Sequence, residues 1–123
     1  MSLEMDFEIT ADNTDKIKEA AREQLLAALE AVGLQAEGDV KKTMAHYSPK
    51  PIVDSGRLMN SITHSVDESD NTAMVGTNVE YGKYVELGTS KMSARPFLKP
   101  TIQENLPEYK KIFEYYMKNG ENL

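Results

Sequence analysis

The chain has 123 residues, of which 40% are hydrophobic, and a formal net charge of −6. This length is typical of one domain with a modest core, so we expect a single domain over residues 1–123. The absence of cysteine excludes disulfides, thiolate metal sites and a cysteine nucleophile. The acidic balance argues against a groove that grips phosphates, although an acidic wall would let DNA pass without adhering.

The sequence does not predict membrane insertion or secretion. No apolar run approaches the length of about 18 residues that a membrane span needs. The N-terminus has no signal-peptide pattern, so we expect the protein to stay in the cytosol where it is made.

The N-terminal half predicts one strand followed by one long helix. Residues 4–10 alternate apolar and polar, with Met5, Phe7 and Ile9 on one face, which is typical of a short half-buried strand. Over residues 13–47 the apolar positions recur at helical spacing. The predicted stripe consists of Ile17, Ala21, Leu25, Ala28, Val32, Ala36, Val40, Met44 and Tyr47.

The length of this helix leaves two arrangements open. A continuous helix over residues 13–47 would span about 50 Å, whereas a domain of this size has a diameter of about 35 Å. The helix could bend or break near Gly33 or Gly38, which are its weakest points. Alternatively, it could project from the domain and bury its apolar stripe against another subunit.

The C-terminal half predicts a hairpin and a second helix. Residues 62–77 form two strand-like runs around a polar turn, and His64 shares a face with apolar neighbours, which favours a partly buried, hydrogen-bonded side chain. A helix is expected over residues 100–119, with a kink or break at Pro107. The predicted fold class is therefore α+β, with a long N-terminal helix and a C-terminal helix packed on a small, mainly antiparallel sheet.

Residues 79–100, VEYGKYVELGTSKMSARPFLKP, predict a short helix, a loop and an anchor. The spacing of Tyr81, Tyr84, Val85 and Leu87 favours a helical turn over residues 80–87 with these side chains on one side. Gly88 is expected to end the turn in a left-handed conformation. A loop follows over residues 88–95. We predict a surface turn that is held at both ends by buried rings, those of Tyr81, Tyr84 and Phe97.

No motif in the sequence predicts catalysis or a cofactor. His46 and His64 lack a third ligand at zinc spacing, and no phosphate-binding loop or nucleophile elbow is present. Glu86 lies between apolar residues, so we expect it to pair with Arg95 as a structural clasp that closes the loop, with Arg57 as the competing partner. We therefore predict no catalytic, cofactor-binding or metal-binding residues and no enzymatic activity.

The aromatic residues leave a choice between core and interface. At helical spacing most such stripes are simply buried, but tyrosine is also enriched at the centres of protein contacts. Tyr115 and Tyr116 cannot both face one core, so one ring should be exposed. The set consists of Tyr81, Tyr84, Phe97, Tyr109, Phe113, Tyr115 and Tyr116.

Two stretches resemble one family. The string YGKYVELGTSKMSARPFLKP and the upstream DSGRLMNSI, residues 54–62, are similar to motifs of the head–tail joining (neck or tail-completion) proteins of phages and prophages with long non-contractile tails. Leu87 stands where that family often has an aromatic residue. The resemblance marks these positions as motif or interface residues: Gly56, Arg57, Leu58, Tyr81, Tyr84, Val85, Glu86, Gly88, Thr89, Met92, Arg95, Pro96, Phe97 and Leu98.

The resemblance implies a structural role in the virion. Such a protein would be made in the bacterial host cytoplasm and would form a ring of several copies, commonly six, between the head and the tail tube. Its partners would be other copies, head-completion or connector proteins and the tail-tube protein, while DNA would pass through unbound. Sheet edges and the first helix would make subunit contacts, and the Gly88–Ala94 loop would order against a neighbour.

Three alternatives remain open at this point. The protein could be another minor structural protein of the phage tail or capsid. It could be a small soluble enzyme that uses Glu86 or His64, although no convergent pair of titratable groups is evident. It could also be a nucleic-acid-binding regulator, which would bind DNA in a salt-dependent manner.

Overall fold

A three-stranded antiparallel sheet packs against α-helices in the computed structural model, which describes residues 3–8, 19–47 and 56–121. This arrangement confirms the predicted α+β class, with N- and C-terminal helices on a small sheet. The elements in chain order are β1 (Leu3–Glu8), α1 (Glu19–Ala45), α2 (Arg57–Ser61), β2 (Thr63–Asp67), β3 (Thr72–Thr77), α3 (Glu80–Leu87) and α4 (Lys99–Glu121).

The sheet has β3 at its centre, in the order β1-β3-β2. Both outer strands pair with β3 in antiparallel register, and the β2–β3 hairpin lies where residues 62–77 predict it. Its turn is held by the Asp67 carboxylate, which accepts hydrogen bonds from the backbone N–H groups of Ser69 and Asp70. β1 begins at Leu3, one residue before the predicted strand, and the predicted strand residues 9–10 lie outside the described residues.

Helix α1 is unbroken and buries its apolar stripe. It passes through Gly33 and Gly38 without interruption, so the alternative of a break into two helices is excluded. Its 27 residues span about 40 Å. The predicted helix start at residues 13–18 lies outside the described residues. The stripe side chains that are fully buried are Leu25, Ala28, Val32, Ala36, Val40 and Met44, joined by Leu29.

The stripe of α1 is covered by the chain's own elements. Strands β2 and β3 pack on it from the sheet, and α4 packs on it along its length. Buried residues of α1, β3 and α4 belong to one hydrophobic cluster, and half-buried Val66 of β2 packs against it. For the described stripe residues from Leu25 to Met44, the alternative of cover by another subunit is therefore not needed, because the hairpin and α4 return to the same side of α1.

Helix α4 runs antiparallel to α1 and contains Pro107. The hydroxyl of Thr101 bonds to that of Thr43 at 2.7 Å, and the Tyr109 hydroxyl donates to Asp39 at 2.7 Å, so later residues of α4 meet earlier residues of α1. Burial, followed by the Asp39 carboxylate, raises the pKa of Tyr109, which keeps this donor protonated. The helix continues through Pro107, which excludes a break there, whereas the predicted kink stays a prediction. Because Pro107 is exposed, water can satisfy the carbonyl that lacks its usual helical donor.

The aromatic residues of the C-terminal half divide between core and surface. Phe97 and Tyr109 are core residues, at 0% and 2% exposure, and Phe113 is half-buried. Tyr115 is 64% exposed while Tyr116 is half-buried, which confirms that one of these two rings is exposed. Within the described residues, no helix is long and apolar enough to cross a membrane.

Candidate assembly surface

Helix α3 contacts the rest of the molecule through one narrow side. Gly82, Val85 and Glu86 are its buried residues. A Cβ atom on Gly82 would lie 2.8 Å from Cγ2 of Thr77 and 2.9 Å from Cδ1 of Leu58. Real Cβ atoms essentially never approach this closely, so glycine is what lets the α3 backbone rest on β3 and α2.

The opposite side of α3 carries an exposed apolar stripe, the outer stripe, formed by Tyr81, Tyr84 and Leu87. These side chains are 45%, 41% and 63% exposed. The prediction that both tyrosine rings are buried anchors on the same side as Val85 is therefore wrong. Positions three apart do share a face, but Val85 follows Tyr84 by about 100° of helix rotation, and it is the side of Val85 that meets the core.

Gly88 ends α3 and lets the chain fold back. Its φ of 77° confirms the expected positive φ, but its ψ of 172° lies outside the left-handed helical region, in a region that essentially only glycine occupies. Its N–H donates to the Tyr84 carbonyl at 2.7 Å. A Cβ atom here would lie 2.7 Å from the backbone nitrogen of Ala94. The close return of the loop therefore depends on glycine at this position.

The loop over residues 88–95 is closed by its own hydrogen bonds. Thr89 and Met92 pair through reciprocal backbone bonds of 2.8 and 3.3 Å. The Arg95 N–H donates to the Val85 carbonyl at 2.7 Å, which joins the end of the loop to α3. These bonds close the loop within a single copy of the chain. Its exposed tip consists of Thr89, Ser90 and Lys91.

The anchor after the loop is held by burial and by a cation–π contact. Phe97 is 0% and Leu98 1% exposed, while Pro96 is half-buried. The Arg95 guanidinium lies 5.0 Å from the centroid of the Tyr47 ring, at the end of α1. The Arg95 side chain thus lies against Tyr47, and the predicted Glu86–Arg95 clasp stays a prediction.

Glu86 binds the start of α4 through backbone amides. Its Oε1 atom accepts N–H groups of Phe97 and Leu98 at 2.9 and 2.8 Å, and its Oε2 atom accepts that of Lys99 at 3.2 Å. The first amides of a helix have no partner within the helix, and the helix dipole favours negative charge there. The carboxylate thus joins α3 to α4 across the loop, with the residue only 8% exposed.

The upstream motif packs against α3 through Leu58. Gly56 has φ 75° and ψ −9°, a left-handed turn directly before α2. Arg57 points to solvent, whereas Leu58 is 3% exposed and packs where α3 comes closest. The hydroxyls of Ser61 and Thr77 also bond to each other. The two motif stretches therefore form one structural unit, although Gly82, Tyr47 and Thr77 were not recognised as parts of it from the sequence.

The remaining titratable groups do not converge on this surface. His64 on β2 is paired with two carboxylates of α1, and His46 is exposed at the end of that helix. Within residues 3–8, 19–47 and 56–121, no group of three or more potential metal ligands is close enough to hold an ion.

A small α+β unit that covers its own core and presents an exposed apolar stripe beside an ordered loop has the properties of a structural protein that binds other proteins. The family comparison agrees, since residues 10–88 match the family described as "Bacteriophage HK97-gp10, putative tail-component". The match spans more than half of the chain, so the protein belongs to this family of phage tail or neck components. Comparison with curated proteins and with solved structures gives no match.

The matched residues end at Gly88. They include α1, the hairpin and α3, which carries the outer stripe. The loop and the anchor lie beyond the match, although the resemblance of the sequence to the family extended through both.

Proposed function

We propose that the protein is a head–tail joining component that assembles as a ring of several copies, with six as the expected number. The ring lies between the portal side of the capsid and the tail tube, and DNA passes through its centre. The observation that carries this proposal is the outer stripe of α3, displayed by a protein of the phage tail and neck family.

The outer stripe has the composition and support of an interface centre. Tyrosine is enriched among the residues that dominate binding energy, and a leucine beside two tyrosines adds apolar area. Glu80 and Lys83 flank the stripe on the same helix and supply a polar rim. Because Gly82 and Glu86 fix α3 to three other elements, little conformational entropy is lost when a partner binds.

A ring also needs a second, different surface on each copy, because head-to-tail contacts join two unlike patches. An open groove between α1 and α4 is a candidate for this second surface. Leu34, which lines it, is 59% exposed. We propose that the outer stripe of one copy docks at this groove of the next. The groove is lined by Ala31, Leu34, Gln35, Gly38, Ile112 and Tyr116.

The net charge of −6 fits a channel rather than a DNA-binding surface. Like charge between the ring and the phosphates would let DNA slide through without adhering. The proposed partners are further copies of the chain, head-completion or connector proteins and the tail-tube protein. The proposed location is the virion, after synthesis in the bacterial host cytoplasm.

Replacement of Leu87 by glutamate, or of Tyr84 by alanine, is expected to reduce ring formation and tail joining at least about tenfold while leaving folding intact. Both side chains are exposed, so their loss does not open the core. Ring formation is measured by sedimentation and negative-stain microscopy. Tail joining is measured by the infectious titre when the variant complements a phage that lacks the protein.

Leu106→Glu is the matched control, because Leu106 is an exposed leucine, at 47%, on a different helix. Wild-type assembly by Leu87→Glu would refute the role of the outer stripe. Complete heads and tails that fail to join would support the head–tail role. Missing tails would instead favour the alternative, a minor structural protein needed to build the tail itself.

A further inference from the structure

His64 occupies an unusual position between two carboxylates. Its side chain lies on β2, is 14% exposed, and faces α1. The Nδ1 atom is 2.9 Å from Oε1 of Glu37, and the Nε2 atom is 2.6 Å from Oε1 of Glu30. Both ring nitrogens therefore meet an oxygen that, in an ionised carboxylate, can only accept a hydrogen bond.

This geometry has a consequence for the protonation state of the ring. A neutral imidazole carries one N–H, so one of its nitrogens would face a carboxylate with its lone pair, which is repulsive. Only the imidazolium form donates to Glu37 and Glu30 at once. The second proton of His64 is thus part of the contact between α1 and β2.

The backbone of α1 is shaped to accept the ring. Gly33 lies between the two glutamates in sequence, and a Cβ atom there would stand 2.9 Å from Cδ2 of His64. A side chain at this position would displace the imidazole, so the glycine in the middle of α1 makes room for the ring. Glycine is disfavoured in a helix interior, and the space that the ring needs accounts for its presence here.

We propose that His64 is a proton-dependent latch that holds the outer strand β2 on α1 while the ring carries two protons and loosens as the ring loses one. The latch is independent of the outer stripe and of ring assembly, and it concerns the cohesion of the folded chain. It would make the stability of the α1–β2 contact depend on pH near neutrality.

The charged groups around His64 favour the protonated ring. Burial lowers the pKa of His64, but the hydrogen bonds to Glu37 and Glu30, together with their charges, outweigh it and raise the pKa above 6.5. For Glu37, burial raises the pKa because it disfavours the charged carboxylate. The bond to His64 and the charge of Lys41 outweigh burial and bring the pKa of Glu37 below 4.5. Lys41 lies 3.5 Å from Glu37, and β3 places uncharged Val75 opposite His64 in the register.

The pH window follows from these directions. The contribution of His64 is fully present below pH 6.5 and is lost as the pH rises through the higher pKa of the folded state. The contribution of Glu37 is present above pH 4.5 and is lost as the pH falls through its lowered pKa. The latch is therefore strongest between these two values and weakens on the alkaline side.

The test compares thermal unfolding of the whole chain with that of His64→Gln over this range. The wild type is expected to melt roughly 3–6 °C above His64→Gln near pH 6, with the difference shrinking towards zero near pH 9. His46→Gln is the matched control, since His46 is exposed and its ring is hydrogen-bonded to the backbone carbonyl of Lys42, and it should keep the wild-type profile. A difference that stays constant across the range would overturn the proposal.

A second measurement covers the case in which His64→Gln does not fold. In the wild type, nitrogen NMR is expected to show His64 as an imidazolium at pH 6.5, with a titration midpoint above that value. Glu30→Gln should lower this midpoint, because Glu30 is an exposed partner that can be neutralised without opening the core. Glu23→Gln, at another exposed position of α1, should leave the midpoint unchanged. An unchanged midpoint in Glu30→Gln would contradict the latch.

Discussion

Replacement of Glu86 by alanine is expected to lower the free energy of unfolding by about 3 kcal/mol. The variant would leave the amides of Phe97, Leu98 and Lys99 without their acceptor at a site that is almost fully buried. It would also remove the negative charge that complements the start of α4. Urea unfolding followed by circular dichroism measures the change.

Glu86→Gln separates the hydrogen bonds from the charge. The amide oxygen can still accept from Phe97 and Leu98, but the amide NH₂ group would then face the N–H of Lys99, so we expect an intermediate loss of about 1–2 kcal/mol. Glu80→Gln is the control on the same helix, since Glu80 is exposed and accepts the Tyr84 hydroxyl at 3.3 Å. Equal stability of Glu86→Ala and Glu80→Gln would show that the three amide bonds contribute little.

Gly88→Ala is expected to destabilise the fold by about 2–4 kcal/mol, for two reasons that add. Its φ of 77° with ψ of 172° is a conformation that residues with a Cβ atom avoid. The new methyl group would also stand 2.7 Å from the nitrogen of Ala94, which is backbone and cannot rotate away. The loop would have to reopen, with loss of the bond from Arg95 to the Val85 carbonyl. Urea unfolding measures the destabilisation.

Gly38→Ala is the matched control and should have the opposite sign. Gly38 lies inside α1, and a Cβ atom there would meet nothing within 4 Å. Alanine is favoured over glycine in a helix interior, so this variant should gain about 0.5–1 kcal/mol. If Gly88→Ala were as stable as the wild type, the loop could close in another backbone conformation, and closure would not require glycine at position 88.

Local periodicity predicted the larger elements because each depends on neighbours along the chain. The stripe of α1 was recognised from its spacing, and residues Leu25 to Met44 of it are buried as expected. The hairpin followed from two strand-like runs around a polar turn. At Pro107 the sequence allowed a kink or a break, and the helix continues there, since at an exposed site water can satisfy the carbonyl whose donor proline removes.

The site was predicted less well, because its decisive contacts join distant residues. Glu86 stands out in the sequence as a carboxylate between apolar residues, but it binds backbone N–H groups, which all residues except proline carry and which the sequence therefore cannot mark. The side of α3 that faces the core was also predicted wrongly. Helical spacing groups Tyr81, Tyr84 and Leu87, but it does not state whether that group or Val85 faces the core.

The sequence alone determined the α+β composition, the need for glycine at the end of α3, and the resemblance to phage head–tail joining proteins. These depend on residue type and short-range spacing, which the chain carries directly. Only the tertiary structure decided that α1 is covered by its own sheet and α4, that the tyrosines of α3 face outward, and that His64 lies between Glu30 and Glu37. Each of these depends on how separate elements meet, and packing of the whole chain is what selects that arrangement.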